Sequence, residues 1–258
     1  MATKLYNTII VGPIHSRRLG SSLGINVLPE FGKFCSFDCI YCECGWNKDN
    51  HSDKKLPTKE EVGAALEKRL RELDAAGTKV DSITFSGNGE PTLNPEFPEI
   101  VDITLKLRDE LYPSAKVSVL TNASQLGRKE VREALMKIDN PILKIDSAIK
   151  DYVDFIDRPY AAYSLEKTIE NIKLFKGNFI LQTMFLRGTV DGKSIDCRNP
   201  EHCRKWVELV KELKPREVMM YTLDRDTPAQ GLEKVTPAQM AEIAKPLVDA
   251  GFKVQIKG

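Results

Sequence analysis

No run of apolar residues in this chain approaches the ~18 needed to cross a membrane, and no signal peptide opens it. A cytoplasmic location is the expectation. An excess of charge of one sign is equally absent. Lys plus Arg number 38 against 37 Asp plus Glu, a net charge of +1, so nothing advertises nucleic acid or an anionic membrane as a partner. Internal repeats, low-complexity tracts and Gly/Ser linkers are missing too, and 258 residues suit one large domain. Cysteine is scarce: there are six, and Cys35, Cys39, Cys42 and Cys44 crowd into ten residues while Cys197 and Cys203 stand apart. That is too few and too uneven for a secreted disulfide scaffold. In a reducing compartment such crowding points to metal binding.

What the chain does have is alternation. Short apolar runs rich in β-branched residues predict strands at Gly24–Leu28, Ser82–Ser86, Lys116–Thr121, Ile142–Asp146, Phe179–Phe185 and Glu217–Thr222, with a short run Phe252–Ile256 at the end. Helical patterns fill the intervals. Thr58 with Glu61 and Thr236 with Gln239 are capping boxes, and Asn94-Pro95 and Asn199-Pro200 are helix openings. Alternating β and α implies crossovers and a parallel sheet. Six such units at roughly 33 residues each fall short of the ~250 residues of a full eight-stranded barrel. The expected fold is therefore α/β, a partial (β/α)6 TIM-like barrel whose open parallel sheet carries outer helices; a doubly wound sheet is the alternative. Residues 1–23 form an N-terminal extension in this reading, 24–222 the barrel, and 223–258 a C-terminal helix and strand.

The strongest chemical signal is Cys35-Ser-Phe-Asp-Cys39-Ile-Tyr-Cys42, a C-x₃-C-x₂-C spacing just after the first predicted strand. Three thiolates in eight residues can ligate three irons of a cubic cluster and leave the fourth iron open for a ligand. Zinc knuckles also crowd thiols, but their usual grammar is two separated C-x₂₋₄-C pairs, and no second such pair exists here.

With an aromatic just before its last cysteine, this motif resembles the radical S-adenosylmethionine superfamily, over about residues 13–231. The run Gly12-Pro-Ile-His-Ser-Arg-Arg-Leu-Gly20 followed by Ser22-Leu-Gly-Ile is similar to its wyosine-synthetase-like branch, many of whose members have no known substrate. Phe85-Ser-Gly-Asn-Gly-Glu-Pro-Thr92 and Tyr221-Thr-Leu-Asp-Arg225 match that branch as well. The resemblance implies a 4Fe–4S cluster on Cys35, Cys39 and Cys42, S-adenosylmethionine as cofactor, a 5′-deoxyadenosyl radical that abstracts hydrogen from a substrate, and a flavodoxin- or ferredoxin-like reductant. It also places Tyr41 near the adenine, Gly87, Asn88, Gly89 and Glu90 around the amino group, and Thr121, Asn122, Asp146 and Ser147 toward the ribose and carboxylate. Met220 is expected in the adenine pocket. The chain departs from the family in carrying Asn88-Gly89 where a double glycine is usual. It also has no cysteine before Cys35, where the tRNA-modifying relatives carry ligands for a second cluster.

Substrate contacts are expected from Arg17, Arg18 and Arg158, because guanidinium binds carboxylate or phosphate in a bidentate fork. Lys144, Gln182 and Tyr221 join them. Lys144 and Asp146 lie two residues apart on one strand and so share a face, as do Gln182 and Met184. Cys44, Cys197 and Cys203 are candidates for a second metal centre or a hydrogen-atom donor. The polar stretch from Glu43 to Leu56 is expected to cover the site as a lid. RNA, a peptide or protein, and a small metabolite all stay open as substrate. A non-catalytic iron–sulfur sensor or electron carrier is the rival reading.

Overall fold

The computed structural model describes residues 5–16, 19–49 and 55–258. In chain order the elements are β1 (Ile10–Ser16), β2 (Gly20–Ile25), α1 (Lys59–Ala75), β3 (Ser82–Phe85), α2 (Phe97–Leu111), β4 (Lys116–Thr121), α3 (Lys129–Lys137), β5 (Asn140–Lys144), α4 (Lys150–Ile156) and α5 (Leu165–Lys173). They continue with β6 (Ile180–Met184), β7 (Leu186–Val190), β8 (Lys193–Asp196), α6 (Pro200–Leu213), β9 (Glu217–Tyr221), β10 (Leu232–Lys234), α7 (Pro237–Val248) and β11 (Val254–Lys257).

The main sheet runs β1-β2-β3-β4-β5-β6-β9-β11. From β2 to β11 every neighbouring pair is parallel. Strands β2 to β6 and β9 are the six expected strands, side by side in chain order, and they form the partial barrel. Both capping boxes are present, at Thr58–Glu61 for α1 and Thr236–Gln239 for α7. Asn199 caps α6 by accepting from the amides of Glu201 and His202. Asn94 does something else. It braces the sheet by donating to Val27 O (2.9 Å) and Pro57 O (3.0 Å), and α2 starts three residues later at Phe97.

Three features differ from the sequence expectation. Strand β2 begins at Gly20 rather than Gly24, and Asn26 turns the chain at its end by bonding Leu28 through both N–H and C=O. Residues 10–16 form an antiparallel edge strand on β2, with a register shift between Val11 and Ile14 around Pro13. Strands β10, β7 and β8 make a separate three-stranded antiparallel sheet. Its hairpin turns at Asp191 (φ 52°) and Gly192 (φ 75°), the two left-handed positions of a tight primed turn.

Period-2 alternation divides the barrel strands between two environments. One face packs on the helices and belongs to the main core, including Val218 and Met220 of β9 and Leu181 of β6. The inner face carries Ile142, Ile180 and Met219 as a small apolar layer. Across β2 to β4 the lining turns polar: Ser22, Thr84, Ser82 and Ser118 form a chain of hydroxyl contacts at 2.9–3.0 Å. Buried hydroxyls satisfied by one another keep that wall closed at little cost. No helix among the described residues is long and apolar enough to cross a membrane.

Candidate functional site

The residues that carry the chemistry gather where the parallel strands end. The segment after β2 crosses this end and is tied to the turn after β3: the Phe34 amide donates to Asn88 O (2.8 Å) and the Glu90 amide to Phe34 O (3.1 Å). Cys35, Cys39, Cys42 and Cys44 then line a cavity of about 240 Å³ together with Phe37, Tyr41, Gly87, Gly89, Glu90, Leu120, Thr121, Asn122, Lys144, Gln182 and Tyr221. Thirteen of the residues singled out from sequence therefore share one concave surface with two aliphatic and aromatic neighbours.

Parity explains which ones. Lys144 of β5 is in register with Gln182 of β6, and Met184 of β6 with Tyr221 of β9, so these side chains project from the inner face. Met220 has the opposite parity and is fully buried among the helix-facing residues. Asn88, Asp146 and Ser147 spend their polar atoms on the fold. Asn88 donates to Tyr6 O (2.7 Å) and Pro29 O (2.8 Å), and accepts from the Tyr6 amide (2.8 Å). Ser147 Oγ accepts from the Ile149 amide (2.9 Å).

Glu90 is almost wholly buried and accepts four hydrogen bonds, three on Oε1 and one on Oε2. Its carboxylate accepts from the Thr92 amide (3.1 Å) and hydroxyl (2.5 Å), the Thr121 hydroxyl (2.7 Å) and the Asn122 amide (2.7 Å). Burial nonetheless pushes its pKa up from the ordinary carboxylate value. Asn122 in turn reaches Ser36 Oγ (3.0 Å) and Cys35 Sγ (3.6 Å), and the Phe37 amide also donates to Cys35 Sγ (3.4 Å). Desolvation raises the Cys35 thiol to about 12.

A second knot of charge lies under Cys39. Lys144 Nζ is 2.5 Å from Asp157 Oδ1 and 3.0 Å from Asp146 Oδ2, with side-chain exposures of 11%, 2% and 0% in that order. The Tyr41 hydroxyl bonds to Asp146, which also accepts from the Met184 amide (2.9 Å). Cys39 Sγ lies 3.5 Å from Asp157 Oδ1. Burial pushes the Tyr41 phenol upward, and the Asp146 carboxylate adds to that. Sequence reasoning passed over Asp157 in favour of its neighbour Arg158. Arg158 instead pairs with Asp191 (2.9 Å) and lies over the Trp46 ring at 5.0 Å. Arg17 and Arg18 lie outside the described residues.

A second cavity of about 280 Å³ adjoins the first and shares Tyr41, Cys42, Leu120, Gln182 and Tyr221 with it. Its own wall adds Glu43, Met184, Asp224, Arg225, Thr227 and Lys257, with Arg225 ion-paired to Glu43. Beyond Glu43, the expected lid is a short 3₁₀ turn at Asn47–Asp49, and residues 50–54 lie outside the described residues.

Residues 30–198 match the family model of the radical SAM superfamily. The chain belongs to that superfamily. A UPF0026 protein from Methanocaldococcus jannaschii is 34% identical over 220 residues, and the match covers 83% of the present chain. The chain spans 63% of that relative's own length. Among solved structures it superposes on a radical SAM methyltransferase from Sphaerobacter thermophilus with a TM-score of 0.67 at 15% identity, covering 92% of this chain and 66% of that one. It superposes on Streptococcus suis SuiB bound to S-adenosylmethionine with a TM-score of 0.62 at 17% identity, covering 88% of this chain and 49% of that one. At such identities the likeness is one of fold: a curled, mostly parallel α/β half-barrel.

The donor set suits the family's cluster. Cys35, Cys39 and Cys42 line one cavity. Among the described residues no three His, Cys, Asp or Glu side chains converge closely enough for a single ion. Soft thiolates are the ligands that iron–sulfur clusters take. Cys44 joins the wall beside Cys42, whose thiol is lowered first by a hydrogen bond from Cys44.

Cys197 and Cys203 are placed elsewhere, at the start of α6, where Cys203 Sγ contacts Cys197 O (3.3 Å). Their neighbour His202 is 1% exposed, with Nδ1 3.4 Å from Ser147 Oγ and Nε2 without a partner among the described residues. Burial lowers this imidazole to about 4. The folded state therefore refuses a proton that the unfolded chain takes up below its ordinary pKa of ~6.5. Stability should fall as the pH drops from about 6.5 to 4, by roughly 3 kcal/mol at the lower limit. Urea unfolding of wild type and His202→Gln across that window checks this; the variant should show a flatter slope.

Proposed function

We propose that the protein is a radical SAM enzyme in which Cys35, Cys39 and Cys42 hold a 4Fe–4S cluster. S-adenosylmethionine would lie across Tyr41, Gly87, Gly89, Glu90, Thr121 and Asn122. The observation that carries this reading is the single cavity shared by the three thiols and the strand-end polar residues. When bound and reduced, the cluster supplies the electron that splits the sulfonium into methionine and a 5′-deoxyadenosyl radical for hydrogen abstraction.

The chain's own part is position and exclusion of water. Glu90 offers a buried negative charge toward a cationic amino group while Thr121 and the Asn122 amide hold it still. Asn122 and the Phe37 amide point at the Cys35 sulfur and would stabilise it as a thiolate. Lys144, 3.9 Å from the Cys39 sulfur, holds the Asp146 and Asp157 carboxylates in place beneath it. The adjoining cavity, with Gln182 and Tyr221 on its shared wall, is the proposed entrance for substrate. Its volume admits a small molecule or one residue of a larger chain. A flavodoxin- or ferredoxin-like protein is the proposed electron donor.

Anaerobic reconstitution with iron and sulfide, followed by reduction with S-adenosylmethionine present, tests the reading. Four irons per chain and 5′-deoxyadenosine are expected, both lost when Cys35, Cys39 and Cys42 are replaced by alanine. Full iron uptake with no cleavage would instead favour a sensor or electron carrier.

A further inference from the structure

The cavity of about 280 Å³ beside the thiols has a wall rich in polar side chains, most of them already spent on the fold. The Tyr41 hydroxyl bonds to Asp146. Thr222 Oγ1 donates to Phe185 O (2.8 Å) and accepts from the Val235 amide (3.0 Å), and Thr227 Oγ1 donates to Ala229 O (2.8 Å). Tyr221 and Asp224 are engaged as well. Two side chains on this wall differ. Gln182 is 6% exposed and faces both cavities, and its amide has no hydrogen-bond partner among the described residues. Lys257 of β11 also lines the cavity, and no carboxylate among the described residues pairs with it.

A buried amide normally has its N–H and C=O groups matched, so one left open toward a cavity is a place for a ligand group. Register sets the layout. Lys257 pairs with Tyr221, and Tyr221 with Met184, so Lys257 stands two strands across from β6 and one inward-facing layer nearer the strand ends than Gln182. Two strand spacings come to about 10 Å. That span suits a small molecule with a charged end at Lys257 and a hydrogen-bonding end at Gln182, toward the thiols. Arg225 adds a second cation on the same wall. Its partner Glu43 is 41% exposed and Arg225 itself 49%, and an ion pair so open to water holds its members weakly. An incoming oxyanion can take the guanidinium over from Glu43.

We infer that this cavity is a subsite for a small organic oxyanion, its carboxylate or phosphate held by Lys257 and Arg225 and its uncharged polar end read by Gln182. The inference rests on the reading of the cavity as the entrance for substrate.

Calorimetric titration of reconstituted protein, with S-adenosylmethionine present, tests it. The probes are succinamate, which joins a carboxylate to an amide, and inorganic phosphate; succinamide is the uncharged control. The oxyanions should bind and succinamide should not. Lys257→Met should weaken binding about tenfold, Lys257→Arg should restore it, and Glu43→Gln, which frees Arg225, should tighten it about threefold. Gln182→Leu should weaken succinamate and leave phosphate unchanged. The tighter of the two probes tells carboxylate from phosphate. No binding by either, or affinities unmoved by Lys257→Met and Glu43→Gln, overturns the inference. Iron content and 5′-deoxyadenosine from the same preparations separate the two claims. Full values with no oxyanion bound leave the proposed function standing without this subsite. Lys257-dependent binding by protein that forms no cluster overturns the proposed function and leaves the oxyanion site.

Discussion

Replacing Gly89 with alanine is expected to abolish cluster uptake and to destabilise the fold. Gly89 sits at φ 139°, a conformation nearly closed to residues with a side chain. A Cβ built there lies 2.0 Å from the Phe34 carbonyl oxygen and 3.2 Å from Cys35 Cβ. Both obstacles belong to the segment that carries the first cysteine, and the nearer one is backbone, which cannot swing away as a side-chain tip does. Relief requires parting Phe34 from the turn, at the expense of the two hydrogen bonds that join them. Strain and lost bonds together come to about 4 kcal/mol or more. Gly77→Ala is the control. Gly77 also has positive φ, at 63°, but nothing lies within 4 Å of its added Cβ, so the cost there should be about 1 kcal/mol. Iron content and thermal unfolding of both variants check this; normal iron loading by Gly89→Ala would refute the close packing of turn on loop.

Lys144→Met is expected to cost about 3–5 kcal/mol of stability, since it strands two buried carboxylates that share one cation. The two are not equal. Asp146 retains the Tyr41 hydroxyl and the Met184 amide, whereas Asp157 keeps the weaker neighbours Tyr41 (3.3 Å) and Cys39. Adding Asp157→Asn to Lys144→Met should therefore restore part of the loss, making the double variant more stable than the sum of the singles predicts. Urea unfolding of the four proteins measures the coupling, expected at 1–3 kcal/mol. Strict additivity would mean that the cation and Asp157 act independently.

Most of the barrel was legible because its strands are buried on both faces and so read as unbroken apolar runs. Ser82–Phe85, Lys116–Thr121 and Glu217–Tyr221 fall almost where the pattern puts them. Strand β1 escaped because Gly12-Pro13 and His15 break any run, and its pairing depends on β2 rather than on local preference. The β7–β8 hairpin carried a visible signal, Val190-Asp191-Gly192-Lys193, whose Asp-Gly turn is among the stronger short-range signs of a hairpin. At the site, cysteine spacing located the thiols, and the family resemblance together with strand-end position singled out Glu90. Parity alone separates Tyr221, on the cavity, from Met220, in the core, and reading it requires knowing which face of β9 meets the helices. Asp157 left no trace in the sequence. Its meaning is burial, and nothing local distinguishes a buried charge from a solvated one.

The irregular stretch of β1 also bears on how copies of this chain meet one another. An open sheet ends in a strand with unspent backbone groups, a ready template for a strand from another molecule. Here that template is spoiled at its middle. Pro13 has no N–H to give, the Gly12 carbonyl is taken by the Arg69 guanidinium at 2.9 Å, and the slip between Val11 and Ile14 spoils the spacing that a straight partner needs. Proline, guanidinium and slip together work against intermolecular strand addition along β1.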